Sequence, residues 1–438
     1  MNRAHYKNYL LLFSISLLLV MGLAGCDGEA PPREDRTPSA TSEKSGGTVT
    51  ILGAVTGEQQ KKLEQTLQPF EEATGIDVIY EGSDDFADLL PLRVGMGQAP
   101  DLAMFPQPGL MEQFVKKEQL IPLTYFLESG ALQAAYTDSW LDIGTIENEV
   151  YAIWYRASVK SLVWYKPTAF EANGYDVPQN WPELTALSNK IAEEGKTPWC
   201  IGLESGTATG WPGTDWIEDI MLRTAGPEAY SQWIDHRLPF NSPQVINAFE
   251  EFGKILRNPK YVEGGTTGAV QTSFGESPNG LFTSPPECYM HRQASFIASF
   301  FAEGKSPRSD YDVFPLPGID ERFGLPILVA GDAFGMFNNT PESRALIAYL
   351  ATPTPHEIGA QLGGFISPHR QISIDSYPDA VSQKIALILS NADIVQFDAS
   401  DMMPSDVGTG TFWQGITDFA AGKSAEDVAK EIDASWPK

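Results

Sequence analysis

Basic residues are scarce in this chain of 438 residues: 30 Lys and Arg stand against 57 Asp and Glu, a formal net charge of −27. Nucleic-acid binding needs basic surface to neutralise phosphates, and that class is excluded. Adhesion to anionic lipid through a basic patch is excluded on the same ground. Three cysteines are too few for a disulfide scaffold and too scattered for a zinc site. The five histidines contain no His-x-x-x-His pair for a helical zinc site. Ser205 lies in Gly202-Leu203-Glu204-Ser205-Gly206, which is not a nucleophile elbow. Gly422-Lys423-Ser424 resembles the tail of a phosphate loop, but Thr417 stands where its first glycine belongs. Asp398, Asp401 and Asp406 lack the glycine position of a calcium loop. The expectation is therefore no cofactor, no metal and no catalytic residue.

What is present is apolar and aromatic. The chain is 42% hydrophobic and 11% aromatic, with 10 Trp, enough to bury large cores. Its single long apolar run, Tyr9 to Leu23, is about fifteen residues, short of the ~20 needed to span a bilayer. Arg3 and Lys7 precede it, and Leu23-Ala24-Gly25-Cys26 ends it. This resembles the lipobox of a bacterial lipoprotein, which implies cleavage after residue 25 and acylation of Cys26. The competing readings are an ordinary signal peptide or a single-pass anchor. Each buried methylene contributes about 0.8 kcal/mol, so two or three acyl chains would anchor the chain firmly. In enterobacterial lipoproteins an aspartate after that cysteine, here Asp27, tends to retain the protein on the inner membrane. Loss of residues 1–25 removes two bases and no acid, leaving 28 bases against 57 acids, a charge of −29. Residues 27–47 are rich in Pro, Ser, Gly and charge, and read as a flexible leash.

Beyond the leash, strands alternate with helices. Thr48 to Leu52 reads as a buried strand; Leu63, Leu67 and Phe70 follow at helical spacing, closed by Gly75. Ile76 to Tyr80 is a second strand, Phe86, Leu89 and Leu90 mark a helix, Asp101 to Phe105 is a third strand, and Leu110 to Leu120 is helical. Further α/β sequence runs from Ser158 to Pro317, Ile327 to Met336 is another buried strand, and the end is helical over 341–350, 380–391 and 412–432. The rhythm predicts an α/β protein with a mostly parallel sheet and helices on both faces.

Phe70-Glu71-Glu72-Ala73-Thr74-Gly75-Ile76-Asp77-Val78, followed by Gly97-Gln98-Ala99-Pro100-Asp101-Leu102, resembles the opening of the extracellular solute-binding proteins of sugar ABC transporters. Tyr151-Ala152-Ile153 matches the segment that first crosses between lobes, and Met403-Pro404 with Phe412-Trp413 resembles the same region of maltose-binding protein. In the second lobe, Pro198-Trp199-Cys200-Ile201-Gly202, Trp211, Thr214-Asp215-Trp216, Pro285-Pro286-Glu287-Cys288 and Ala330-Gly331-Asp332 are similar to the α-glucoside-binding branch. The resemblance implies two α/β lobes hinged about a ligand cleft. It places residues 48–155 plus about 315–340 in the N-terminal lobe, and 156–314 plus about 341–438 in the C-terminal lobe, after a leader over 1–25 and a tether over 26–47. It implies capture of α-glucosides such as sucrose, trehalose or glucosylglycerol and delivery to an ABC permease. The expected protein is a monomer tethered by acylated Cys26 to the periplasmic side of the inner membrane.

Sugars offer apolar C–H faces to aromatic rings, and hydroxyls to carboxylates and amides. Trp211, Asp215 and Trp216 form the strongest candidate cluster, with Thr214 capping a helix that starts at Asp215; the plainer reading makes Trp216 core. Carried over by position, Phe105 ends the third strand at the cleft edge, and Trp413 aligns with a stacking tryptophan of the maltose binder. Asp84 stands at the rim, Trp154, Tyr155 and Arg156 on the first crossover, Gly331 and Asp332 after Ala330, where a purely structural Gly-Asp turn is the alternative, and Phe296 after Cys288. Arg156 stands where the maltose pattern has an acid. With Cys26 acylated, Cys200 and Cys288 remain and are expected to pair outside the cytoplasm. The rival function is a secreted glycosidase with Glu204 and Asp215 as paired carboxylates.

Overall fold

Strand formation follows the β-branched and apolar runs. The strands are β1 (Gly47–Gly53), β2 (Ile76–Gly82), β3 (Leu102–Phe105), β4 (Thr145–Ile146), β5 (Glu149–Val150), β6 (Ala152–Val159), β7 (Leu162–Tyr165), β8 (Met290–Arg292), β9 (Asp312–Pro315), β10 (Ile327–Met336) and β11 (Val395–Phe397). They belong to a computed structural model that describes residues 46–437; the leader, Cys26, Asp27 and the tether up to residue 45 lie outside the described residues. Among the described residues no helix is long and apolar enough to cross a membrane.

The larger sheet runs β11-β10-β3-β1-β2, with β6 also on β10. β1 is parallel to β2 and β3, whereas β10 runs antiparallel to both β3 and β6. The smaller sheet, β8-β7-β9, is antiparallel throughout. The expectation of a mostly parallel sheet therefore holds for β1–β3 and for β10 with β11, and fails where β10 meets β3 and β6 and throughout the smaller sheet. Strands that leave for the other lobe and return are free to enter the sheet in either direction.

Helix signals read as expected at the start. In the Gly57–Thr74 helix, Leu63, Leu67 and Phe70 face the core, and Gly75 closes it at φ 74°, a left-handed conformation that glycine adopts without strain. The expected helix over 412–432 is instead two, Trp413–Ala420 and Ala425–Ala434, broken at Gly422 (φ 110°). Thr214 caps nothing: its helix, Trp211–Thr224, starts four residues after Thr207, and Thr214 lies inside it, donating to the Trp211 carbonyl at 2.9 Å.

Two cores organise the molecule. One gathers Val49, Ile51, Leu102, Phe334, Leu346, Ile347 and Ile385 around the large sheet. The other gathers Val163, Ile217, Phe252, Phe412, Ile416 and Val428. Residues 346–397 pack mainly with the first core and most of the chain after 398 with the second. The chain passes between the lobes at three places, and they are stitched together. The Lys160 amide donates to the Leu328 carbonyl, Leu316 N to Ser161 O, and Asp398 N to Val329 O, at 2.8, 2.9 and 2.8 Å. Cys200 and Cys288 form a disulfide across 88 residues of sequence.

Candidate functional site

The stitched crossings form the floor of a cavity of about 290 Å³. All ten residues of β10 are buried, and β6 is buried except at Arg156. Arg156 pairs directly across from Asp332, whereas Trp154 pairs with Ala333, so Tyr155 is the extra residue of a β-bulge. A bulge of this kind re-aims the residues beside it. Arg156 and Asp332 both line the cavity, Arg156 donating Nε to Asp332 Oδ2 and Nη1 to Gln59 Oε1. Gly331 has no room for a side chain, since a Cβ would lie 2.6 Å from the Arg156 carbonyl oxygen.

The two walls differ in chemistry. The first lobe supplies Thr56, Gln59, Asp84, Asp85 and Asp88. The second supplies the rings of Trp211, Phe274, Phe296, Phe300 and Trp413. Trp211 meets Phe274 edge to face at 5.1 Å and lies 6.0 Å from Phe296. Thr207 of the second wall donates to Asp85 of the first at 2.9 Å, bridging the mouth. Three buried or half-buried polar atoms of cavity-lining residues lack a protein partner: Asp332 Oδ1, Trp413 Nε1 and Gln107 Oε1. An unmatched buried polar group costs about 1–3 kcal/mol, so these atoms favour a ligand that supplies hydroxyls.

Beneath the second wall lies a charged cluster. Lys160 donates to Asp215 at 2.7 Å and to Asp398, while Arg292 pairs with Asp215 and Asp219 at 3.2 and 2.7 Å. Burial alone would lower the Lys160 ammonium, but Asp215 and Asp398 outweigh it and hold it well above the ordinary lysine value.

The sequence-predicted residues divide accordingly. Asp84, Arg156, Trp211, Phe296, Gly331, Asp332 and Trp413 line the cavity together. Phe105, Trp154, Tyr155, Asp215 and Trp216 do not. Phe105 packs among Phe86, Phe114 and Phe337. Trp154 packs between Trp140 and Phe397, on the face of β6 opposite the bulge-directed Arg156. The Tyr155 hydroxyl lies 2.8 Å from that of Thr66 inside the first lobe. Trp216 stacks on Phe252, the core reading of that residue. Asp215 is fully buried behind Lys160 and Arg292, so it cannot act with Glu204 across the cleft. Sequence reasoning missed Gln59, Asp85, Lys160, Phe274 and Asp401. Asp401 had a signal, the spaced Asp398 and Asp401, but nothing local tells which carboxylate faces the cavity.

The chain matches the family model described as bacterial extracellular solute-binding protein over residues 53–357. It is 52% identical over 428 residues to the osmoprotective compounds-binding protein GgtB of Synechocystis sp., covering 97% of this chain and 99% of that protein. It is 42% identical over 399 residues to the alpha-glucosides-binding periplasmic protein AglE of Rhizobium meliloti, covering 89% and 87%. Among solved structures, the bacterial solute receptor AcbH superposes with a TM-score of 0.76 at 18% identity, covering 89% of this chain and 97% of that one. At that identity the likeness speaks to the fold.

Proposed function

The chain belongs to the bacterial extracellular solute-binding proteins, and from that premise we propose that it is the substrate-binding component of an ABC importer for α-glucosides. The observation that carries the reading is the cavity itself: an aromatic wall faces an acid- and amide-lined wall, with unpartnered polar atoms between. Such a pairing suits a disaccharide-sized polyol, whose C–H faces stack while its hydroxyls reach the opposite wall. The similarity to GgtB and AglE supports sucrose, trehalose and glucosylglycerol as the ligands to try.

In this reading Trp211, Phe296 and Trp413 stack on the ligand, and Asp84, Arg156 and Asp332 hold its hydroxyls. Gly331 leaves room for the Trp154 ring beneath the floor. Ligand bridging both walls shifts the lobes toward the closed form, which is delivered to a permease in the membrane. The lobes divide at the three crossings near residues 160, 316–328 and 398. The protein acts as a monomer outside the cytoplasm, tethered by acylated Cys26, and breaks no bond in its ligand.

Calorimetric titration with glucosylglycerol, sucrose, trehalose, maltose and glucose tests this. A sub-micromolar Kd, about 8–9 kcal/mol, is expected for at least one α-glucoside, with the sugar recovered intact. No binding by any of them overturns the α-glucoside reading, and released glucose overturns the transport reading in favour of a glycosidase.

A further inference from the structure

Asp401 presents a carboxyl to the cavity and has been assigned no role. It follows the third crossing, in the short Ala399–Met402 helix, and is 8% exposed. Its amide donates to Asp398 Oδ1 at 2.9 Å, but among the described residues no donor reaches its own carboxyl. Its surroundings are acidic on every side. The Trp211–Thr224 helix brings Asp215 and Glu218, its own segment brings Asp398, and β10 brings Asp332. Carboxylate oxygens of Asp215, Glu218 and Asp398 lie within 4.8 Å of one another. The cation among them is Lys160, and its ammonium is already shared by Asp215 and Asp398. Arg292 is taken by Asp215 and Asp219, and Arg223 by Asp219. The nearest guanidinium on the cavity side, Arg156, is held by Asp332 and Gln59.

Counting the cluster leaves too much negative charge for a buried place: Asp215, Glu218, Asp219, Asp398 and Asp401 face Lys160, Arg223 and Arg292. Like charges at this range cannot all ionise. Glu218 has compensation, since its two oxygens accept the Ala399 and Ser400 amides at 3.1 Å each. Asp401 has none. Burial first, then Asp398, pushes its carboxyl well above the usual aspartate range. Two further observations on the same cavity point to a ligand: Asp332 Oδ1 and Trp413 Nε1, each on a side chain more than nine-tenths buried, have no partner.

We propose that Asp401 is a ligand contact that engages the polyol as an uncharged carboxylic acid, donating its O–H to a ligand oxygen. The inference rests on the sugar-binding reading of this cavity. It adds a donor to a site otherwise rich in acceptors, so that a ligand oxygen, and not only ligand hydroxyl protons, is read. Affinity then depends on pH, since the ionised form repels the ligand oxygen's lone pairs and brings a second unpaired charge into a closing cleft. Binding takes up a fraction of a proton wherever free Asp401 is partly ionised.

The test is titration of the wild-type protein with glucosylglycerol, sucrose and trehalose between pH 6 and 9, in phosphate and in Tris, whose ionisation heats differ. The Kd is expected to be flat at the acid end and to rise by as much as tenfold per pH unit once Asp401 ionises, with proton uptake detected as a buffer-dependent heat. Asp401→Ala should weaken binding at least tenfold at pH 6. Asp401→Asn, which keeps an N–H donor, should recover most of that loss and show neither pH dependence nor proton uptake. Wild-type affinity that strengthens as pH rises, or an Asp401→Ala protein that is folded by circular dichroism and binds normally, overturns the proposal. Infrared difference spectra of wild type against Asp401→Asn, taken without sugar, should contain a protonated-carboxyl C=O band; its absence also overturns it. If no sugar binds at any pH while that band is present, the α-glucoside reading has failed and the ligand contact with it, and only the buried acid stands.

Discussion

At Lys160 one ammonium serves two buried carboxylates, Asp215 and Asp398, and approaches the Trp211 ring to 5.4 Å. Removing one member of such a set leaves the others charged and unpaired, which costs about 3–5 kcal/mol. Lys160→Met is therefore expected to lower unfolding stability by that amount in urea titrations, and unchanged stability would contradict the pairing. Trp211 lies in the aromatic wall beside both Phe274 and Phe296. Trp211→Ala should raise the Kd for the bound sugar by roughly 10–100-fold, about 1.4–2.7 kcal/mol, with little change in melting temperature. These two residues also illustrate what one-dimensional reading can reach. The aromatic and acidic composition of Trp211 to Trp216 was legible as a sugar-like site. Which of its members face the cavity was not, because Trp211 opens the helix at the cavity, whereas Asp215, one turn further along nearly the same face, is covered by Lys160 and Arg292, and Trp216 packs on Phe252 in the core. The helix starts at Trp211 and not at Asp215, so Asp215 lies one turn inside it, away from the open end.

At the scale of elements, the aromatic wall is held by a backbone contact. Gly210 has φ 111°, and a Cβ there would come within 2.2 Å of the Trp413 carbonyl oxygen. The contact ties the start of the Trp211–Thr224 helix to the start of the Trp413–Ala420 helix, and so sets the two tryptophans relative to each other. Gly210→Ala combines left-handed strain with overlap, and is expected to destabilise by about 3 kcal/mol and to weaken sugar binding, measured by melting and titration together. The Cys200–Cys288 link closes a loop of 88 residues. On the chain-entropy model it contributes about 4 kcal/mol, so a reducing agent should lower the urea midpoint by a matching amount. Thiol labelling of the denatured, unreduced protein should find neither Cys200 nor Cys288 reactive; two reactive thiols would refute the bond. Elements whose signal is local, such as β1, β2 and the helix closed by Gly75, were legible from periodicity and one glycine. The bulge at Tyr155 was not, because it exists only through the register of β6 on β10, 176 residues apart at Arg156 and Asp332.

For the whole molecule, acid is the destabilising direction expected from its buried histidines. Burial lowers His291 to about 4, and burial with neighbouring His369 lowers His356 to about 3. In the unfolded chain both titrate near 6.5. A depressed folded value gives stability that is complete above about 6.5 and is lost as pH falls toward 4 and 3. Each histidine contributes a slope of about 1.4 kcal/mol per pH unit once the unfolded form is charged and the folded form is not. The urea midpoint of the wild type, taken relative to a His291→Gln, His356→Gln double variant, should therefore fall between pH 7 and pH 5, and a constant difference would show that neither ring is held neutral. Glu218 and Asp401 act in the opposite sense, since their raised values give stability present at low pH and lost as pH rises through them. Stability is thus limited from both sides.

The sequence by itself determined the α/β class, the run of elements, the cysteine pair and the sugar-compatible composition of the second lobe, because those follow from spacing along the chain and from residue chemistry. Its family resemblance extended the reading to two lobes and a cleft. Only the tertiary structure decided which candidates share the cavity. Asp84, Arg156, Trp211, Phe296, Asp332 and Trp413 meet there, while Phe105, Trp154, Tyr155, Asp215 and Trp216 serve the cores beneath it. The reason is physical: the bulge at Tyr155 and the ion pairs that cover Asp215 depend on partners far away in sequence. The same holds for the excess of carboxylates around Lys160, which no spacing along the chain could have disclosed.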